Sequence, residues 1–193
     1  VRLILIINIR RKEYKMARIG NEKNFYIWDS LKHTDPKYTK PFSKFGGKEL
    51  TTIDPMYQVM CMTGMFGPVG KGWRFKNQFT YTEKNVFAEV ILQWKENEQW
   101  FAYGPISSVC SLYKKNGGLD DEAPKKAATD ALTKAMSYIG VSADVFLGAF
   151  DNNKYKELMT EKFSSNGSAD NVKVLDPAKL KEMKNDKQSN PNR

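Results

Sequence analysis

Apolar residues in this chain recur at two different periods, and the switch between them marks its main elements. Between residues 73 and 82 the period is two. Trp73, Phe75, Phe79 and Tyr81 point one way, with Asn77 the exception, while Arg74, Lys76, Gln78, Thr80 and Thr82 point the other. Such alternation predicts a half-buried antiparallel strand with a polar, partly basic outer face. Val86, Ala88, Val90, Leu92 and Trp94 predict a second strand. Residues 95–99 read as a hairpin turn, and residues 100–103 as a return strand that continues through 106–113. From residue 120 to 140 the period becomes helical. Ala128, Leu132, Ala135, Met136 and Ile139 form an apolar stripe, and Lys126, Asp130, Thr133, Lys134 and Ser137 gather on another face. Pro124 suits a first turn, and Asp120, Asp121 and Glu122 stand where the positive helix end favours anions. The alanines at 127, 128, 131 and 135 allow close approach to a sheet.

The flanking segments complete the outline. Residues 24–32 predict a short helix with Phe25, Trp28 and Leu31 on one side, broken by Asp35-Pro36. Residues 36–52 read as a loop rich in lysine, glycine and aromatics. Asp54-Pro55 is an N-cap followed by proline at the first helical position. The helix it opens has Met56, Val59, Met60, Thr63 and Phe66 as its buried side, and Gly64 and Gly67-Pro68 as its end. Shorter helices are predicted around 143–148 and 152–163. The order helix, strand, strand, strand, helix implies the α+β class: an antiparallel βββ sheet with a packed α-helix and flanking short helices. Residues 16–163 then form one domain. Residues 164–193 lack aromatics and are dominated by Ser, Asn, Asp and Lys, the composition of a disordered tail, with a transient helix at 177–184.

Charge adds a direction. The 193 residues carry 31 Lys and Arg against 22 Asp and Glu, a net +9. Residues 1–16 hold +4 and 17–80 hold +5, whereas 81–122 hold −3. A basic first half beside an acidic strand region suggests one face for a polyanion; plain solubility is the alternative. Cys61 and Cys110 sit in apolar surroundings, as suits reduced, packed thiols inside a cell. His33 is the only histidine, and no Cys and His spacing resembles a zinc site. The apolar run 3–9 is too short to span a bilayer and is interrupted by Asn8. Arg10, Arg11 and Lys12 follow where a signal peptide needs small residues, so no membrane anchor is expected. Residues 1–15 read as an extension ahead of a true start at Met16, since Arg10 to Glu13 can be encoded by a purine-rich ribosome-binding stretch; an ordinary N-terminal strand is the alternative.

The candidate motifs differ in weight. The GPVGKG stretch at 67–72 lacks the Lys-Ser/Thr pair of a P-loop and leads from helix to strand, which argues against ATP hydrolysis. Lys71 there is either a bare turn residue or a phosphate contact. Asp54 reads as a helix cap and Glu89 as part of a strand's polar face, so nothing groups them with Asp144 as a metal nuclease would require. In residues 37–48, Lys37, Lys40, Lys44 and Lys48 alternate with Tyr38, Phe42 and Phe45. Cations that neutralise phosphates beside stacking faces suit single-stranded nucleic acid; a surface loop that buries its aromatics fits the same pattern.

The segments GGKELTTIDPMYQVMCMTGMFGPVGKGW and KKAATDALTKAMSYIG resemble the annealing core of the Rad-fifty-two superfamily, which includes the phage Sak-type single-strand annealing recombinases. The resemblance covers roughly residues 35–155. It is sharpest at Gly46-Gly47-Lys48, at the Phe66-Gly67 to Gly72-Trp73 junction, and at Thr129-Asp130, Leu132, Ala135 and Gly140. It implies a βββα annealing core, ring-shaped homo-oligomers, and single-stranded DNA held by its backbone in a basic groove. The family's helix carries basic residues after Thr-Asp-x-Leu; here only Lys134 keeps a charge, with Thr133 and Ser137 in the other places. The expected DNA-binding set is Lys40, Lys44, Lys48, Lys71, Arg74, Lys76, Lys126 and Lys134, with Tyr38 and Phe45, and of these Lys44, Lys48, Arg74 and Lys134 are expected to converge on one groove. The function implied is ATP-independent binding and annealing of single strands in phage recombination and repair, in the host bacterial cytoplasm, with no catalytic residue, metal or cofactor. A phage exonuclease or a host single-strand-binding protein is a candidate partner. A strand-protecting DNA-binding module or an Erf-type annealing protein is the alternative, and a nuclease the third.

Overall fold

A computed structural model describes residues 21–43 and 49–166. The predicted extension with Met16, the segment 44–48 with Lys44, Phe45 and Lys48, and the tail from 167 onward lie outside the described residues.

A turn of 3-10 helix, Glu22–Phe25, runs into α1 (Tyr26–Leu31). A second, Pro36–Tyr38, leads to β1 (Thr39–Ser43) and β2 (Glu49–Ile53), followed by α2 (Pro55–Phe66). Then come β3 (Trp73–Tyr81), β4 (Asn85–Glu96), β5 (Gln99–Ser111) and α3 (Ala123–Tyr138). The described chain closes with α4 (Ala143–Phe146), a 3-10 turn at Ala149–Asp151, and α5 (Asn153–Asn166). The class is α+β. β3, β4 and β5 form an antiparallel sheet in that order, and β1 with β2 forms a separate two-stranded one. No helix among the described residues is long and apolar enough to cross a membrane.

The alternation read from the sequence sets the register. Trp73 lies opposite Trp94, Phe75 opposite Leu92 and Phe79 opposite Ala88, all on the face that receives α3. Val86, Ala88, Val90 and Leu92 on the central strand are fully buried. The β4–β5 turn places Asn97 and Glu98 at φ of 47 and 65, the left-handed pair that suits the twist of a tight hairpin. In β5 the step from Tyr103 to Ile106 matches the shorter step from Leu92 to Val90, so the extra residue bulges at Gly104. Its φ is +119, and a Cβ there would lie 2.6 Å from the Val90 carbonyl oxygen.

α3 meets the sheet through Ala123, Ala127, Ala131 and Ala135, one residue per turn and all buried. Of the predicted apolar stripe, Ala135 and Met136 are in the contact line, while Ala128, Leu132 and Ile139 flank it, half-buried. Along the alanine line only methyl groups stand between helix and sheet, while Met136 joins the core near the helix's C-terminal end and Leu132 and Ile139 lie to its sides. The predicted buried side of α2 is also rotated. Tyr57, Gln58 and Met62 are buried and Met56 is exposed. This helix has no charged residue to define a wet face, so its apolar residues did not fix its orientation. The predicted loop 36–52 contains the pair β1 and β2 instead, with Pro41 opposite Thr51. Proline is tolerated in a two-stranded edge, although it hides the strand from a period-two reading. α5 runs to Asn166, three residues past the predicted domain end.

One polar cluster ties the two ends of the described domain together. Asp144 of α4 is buried and accepts from the Thr34 amide at 2.9 Å, the Thr34 Oγ1 at 2.6 Å and the Tyr155 hydroxyl at 2.9 Å. His33 Nδ1 is 3.2 Å from that same hydroxyl. Burial first, then the charges of Lys162 and Lys32, hold the imidazole below its ordinary value of 6.5, against the opposing pull of Asp144 and Asp29. The unfolded chain therefore takes up this proton at a higher pH than the folded one. The His33 contribution to stability is complete above about 6.5 and is lost as pH falls through the folded value. Unfolding midpoints measured at pH 7.5 and 5.5 should drop more for the wild type than for His33→Gln; equal drops would show that His33 takes no part.

Candidate nucleic-acid groove

β1 and β2 stand off the N-terminal half of α3 and leave a groove of about 570 Å³ between them. Phe42, Leu50 and Thr52 line it from the strands, and Lys126, Thr129, Asp130 and Thr133 from the helix. Pro55, Val145 and Phe146 add apolar surface. The geometry follows from local rules. Phe42 lies opposite Leu50 and Lys40 opposite Thr52, so alternation puts all four on one face of the ribbon. On α3 the spacing 126, 129, 130, 133 superposes on one face, the flank left free by the alanine line. The base of the ribbon is fixed by the Asp54 amide donating to the Tyr38 carbonyl at 2.9 Å, and by Tyr38 stacked on Tyr57 at 4.5 Å.

The predicted binding residues divide between several places. Lys40 is exposed on the groove side of β1, and Lys126 lines the helix wall. Lys134 is exposed two turns further along α3. Lys71 is exposed on the turn before β3. Arg74 and Lys76 point to the face of the sheet opposite α3, so they do not converge with the others. Tyr38 spends one ring face on Tyr57 and is no open stacking platform. Lys44, Phe45 and Lys48 belong to the connection between β1 and β2, outside the described residues. Sequence reasoning passed over Lys125 and Phe146 in the groove, and Trp100 on the opposite face. Only the hidden β1–β2 pair could have pointed to the first two.

Charge in the groove is mixed. Lys126 pairs with Asp120 at 2.6 Å and Lys125 with Glu122 at 2.7 Å. The Lys126 ammonium beside Asp120 holds that carboxyl below the usual carboxylate range, and Asp120 in turn raises Lys126. Asp130 accepts from Ser108 Oγ at 2.6 Å, which ties the helix to β5. The exposed Lys125–Glu122 pair is weakly held and can hand its lysine to a phosphate, whereas Lys126 also neutralises the buried Asp120. Burial pushes the Cys61 thiol up and away from a reactive thiolate. The three carboxylates considered for a nuclease stand apart: Asp54 caps α2, Glu89 lies on the face opposite α3, and Asp144 is buried in the polar cluster. No protein-family model matches the chain, and no curated protein matches its sequence.

Proposed function

We propose that the chain binds single-stranded DNA and anneals complementary strands without ATP, in recombination of the phage type. The observation that carries this reading is the open groove itself, with Lys125 and Lys126 on its helix wall, the exposed rings of Phe42 and Phe146 lining it, and Lys40 on the same strand face as Phe42. Lysines that neutralise phosphates beside stacking surfaces bind a flexible strand with little regard for sequence. The reading also includes assembly of several copies. Among the described residues β3 and β5 are both open sheet edges, and each carries exposed aromatics: Phe75 and Tyr81 on one, Phe101 and Tyr103 on the other. Two unlike edges on one sheet suit head-to-tail rings.

The test is a titration of the full chain with labelled mixed-sequence oligonucleotides at stepped salt, followed by pairing of coated complementary strands. Affinity should fall steeply with salt and vary little with sequence. Lys40→Gln and Lys126→Gln should each flatten the salt slope by about one unit. Stability should change by less than about 0.5 kcal/mol for Lys40, an exposed charge with no ion pair among the described residues. Lys179→Ala and Lys184→Ala, in the tail, should leave the slope unaltered. Strong sequence preference or metal-dependent DNA loss would sink the proposal, and slower pairing of coated strands would indicate a protective coat.

A further inference from the structure

We infer that the sheet face turned away from α3 is a second nucleic-acid surface, separate from the groove, with Arg74 as its phosphate anchor. Arg74 is exposed, yet its guanidinium is held in place on two sides. Its Nε donates to Gln93 Oε1 at 3.0 Å, and its Cζ lies over the Trp100 ring, 4.1 Å from the centroid. These contacts span all three strands, since Arg74 is on β3, Gln93 on β4 and Trp100 on β5. No carboxylate pairs with Arg74 among the described residues. A guanidinium fixed by stacking and by one nitrogen presents its remaining donors in a rigid fork, which suits the paired oxygens of a phosphate.

The surroundings extend the site. Lys76 lies two residues along β3 on the same face, about 6–7 Å away, exposed and also without a carboxylate partner among the described residues. Two cations in line along a strand match a chain of phosphates better than a single small anion. Gln78 and Thr80 continue the polar row, and Phe87 is an exposed ring further along the face. Glu89 lies opposite Gln78, beyond Lys76 from Arg74, and Glu98 at the hairpin end is paired with Lys95 at 2.5 Å. The cationic end is thus electrostatically complementary to a polyanion, and the exposed ring of Phe87 favours nucleic acid over an acidic peptide. α3 covers the opposite face through its alanines, so a strand here and a strand in the groove do not compete for the same side chains.

The experiment uses the full chain and a labelled mixed-sequence single strand at stepped salt, with stoichiometry read as well as affinity. Arg74→Gln and Lys76→Gln should each flatten the salt slope of one binding event by about one unit and leave a second event unchanged. That second event should respond to Lys40→Gln and Lys126→Gln instead. Arg74→Lys keeps the charge but loses the fork and the stack, so it should retain the slope and lose affinity; thermal midpoints confirm that each variant folds. If only the groove variants act, the inference falls and the groove reading stands. If only Arg74 and Lys76 variants act, the inference stands and the groove reading falls. All four variants weakening one indivisible event, no effect from any, or equal competition by polyglutamate would overturn the inference.

Discussion

Gly72→Ala should abolish the native fold. A Cβ at this position would lie 1.6 Å from the Phe66 carbonyl oxygen, 2.4 Å from its carbonyl carbon and 2.9 Å from Gly67 Cα. All three are backbone atoms, so no side chain can swing aside. The clash falls where α2 hands the chain to β3. Next along the chain, Trp73 is completely buried and its indole N–H donates to Thr63 Oγ1 of α2 at 3.2 Å. The Gly72 carbonyl accepts from the Lys95 amide at 2.8 Å, which binds the same point to β4. Shifting the backbone would disturb both anchors at once. The loss should be about 4 kcal/mol or more, the range reserved for a few severe mechanisms. Gly70→Ala is the control. Its φ is +87 but nothing lies within 4 Å of its Cβ, so it should cost only about 1–2 kcal/mol of left-handed strain. Urea unfolding of both variants decides the matter, and a Gly72→Ala protein as stable as Gly70→Ala would refute the close approach of α2 and β3.

Asp144→Ala should destabilise the protein by about 3–5 kcal/mol, because it leaves the amide and hydroxyl of Thr34 without an acceptor in a buried site. Thr34 has no exposed surface, so water does not replace the lost bonds. Tyr155→Phe removes one hydrogen bond from the same carboxyl together with the hydroxyl beside His33 Nδ1, leaves both Thr34 bonds in place, and should cost about 1–2 kcal/mol. That ordering separates a polar keystone from a surface carboxylate. Denaturant midpoints for the two variants within error of wild type would show that the cluster contributes nothing.

The sheet and α3 were legible because their periods are enforced by burial. Val86, Ala88, Val90 and Leu92 alternate since every second side chain of β4 faces α3, and a polar residue there would lose its water. The position of α3 was less legible. Its largest apolar residues, Leu132 and Ile139, drew attention to themselves, whereas the contact is made by the smallest. The β1–β2 pair left little signal. Its faces mix Lys40 and Phe42 on one side, because one side walls a groove and neither side is sealed. Groove residues contributed by separate elements, such as Phe42, Phe146 and Lys126, share no local pattern at all. The same holds for Arg74 and Trp100, which meet across β4 through a contact that no sequence spacing encodes.

The walls of the groove differ in stiffness. One is α3, seated on the sheet by four alanines that leave it nowhere to retreat. The other is a ribbon of two strands, a unit that is marginal when it stands alone, held at its base by Tyr38 on Tyr57 and by the Asp54 amide and touched along β2 by α4 and the turn Ala149–Asp151. The groove is therefore a clamp with one fixed jaw and one sprung jaw. Any change in its width should fall on β1 and β2, while the helix keeps its place.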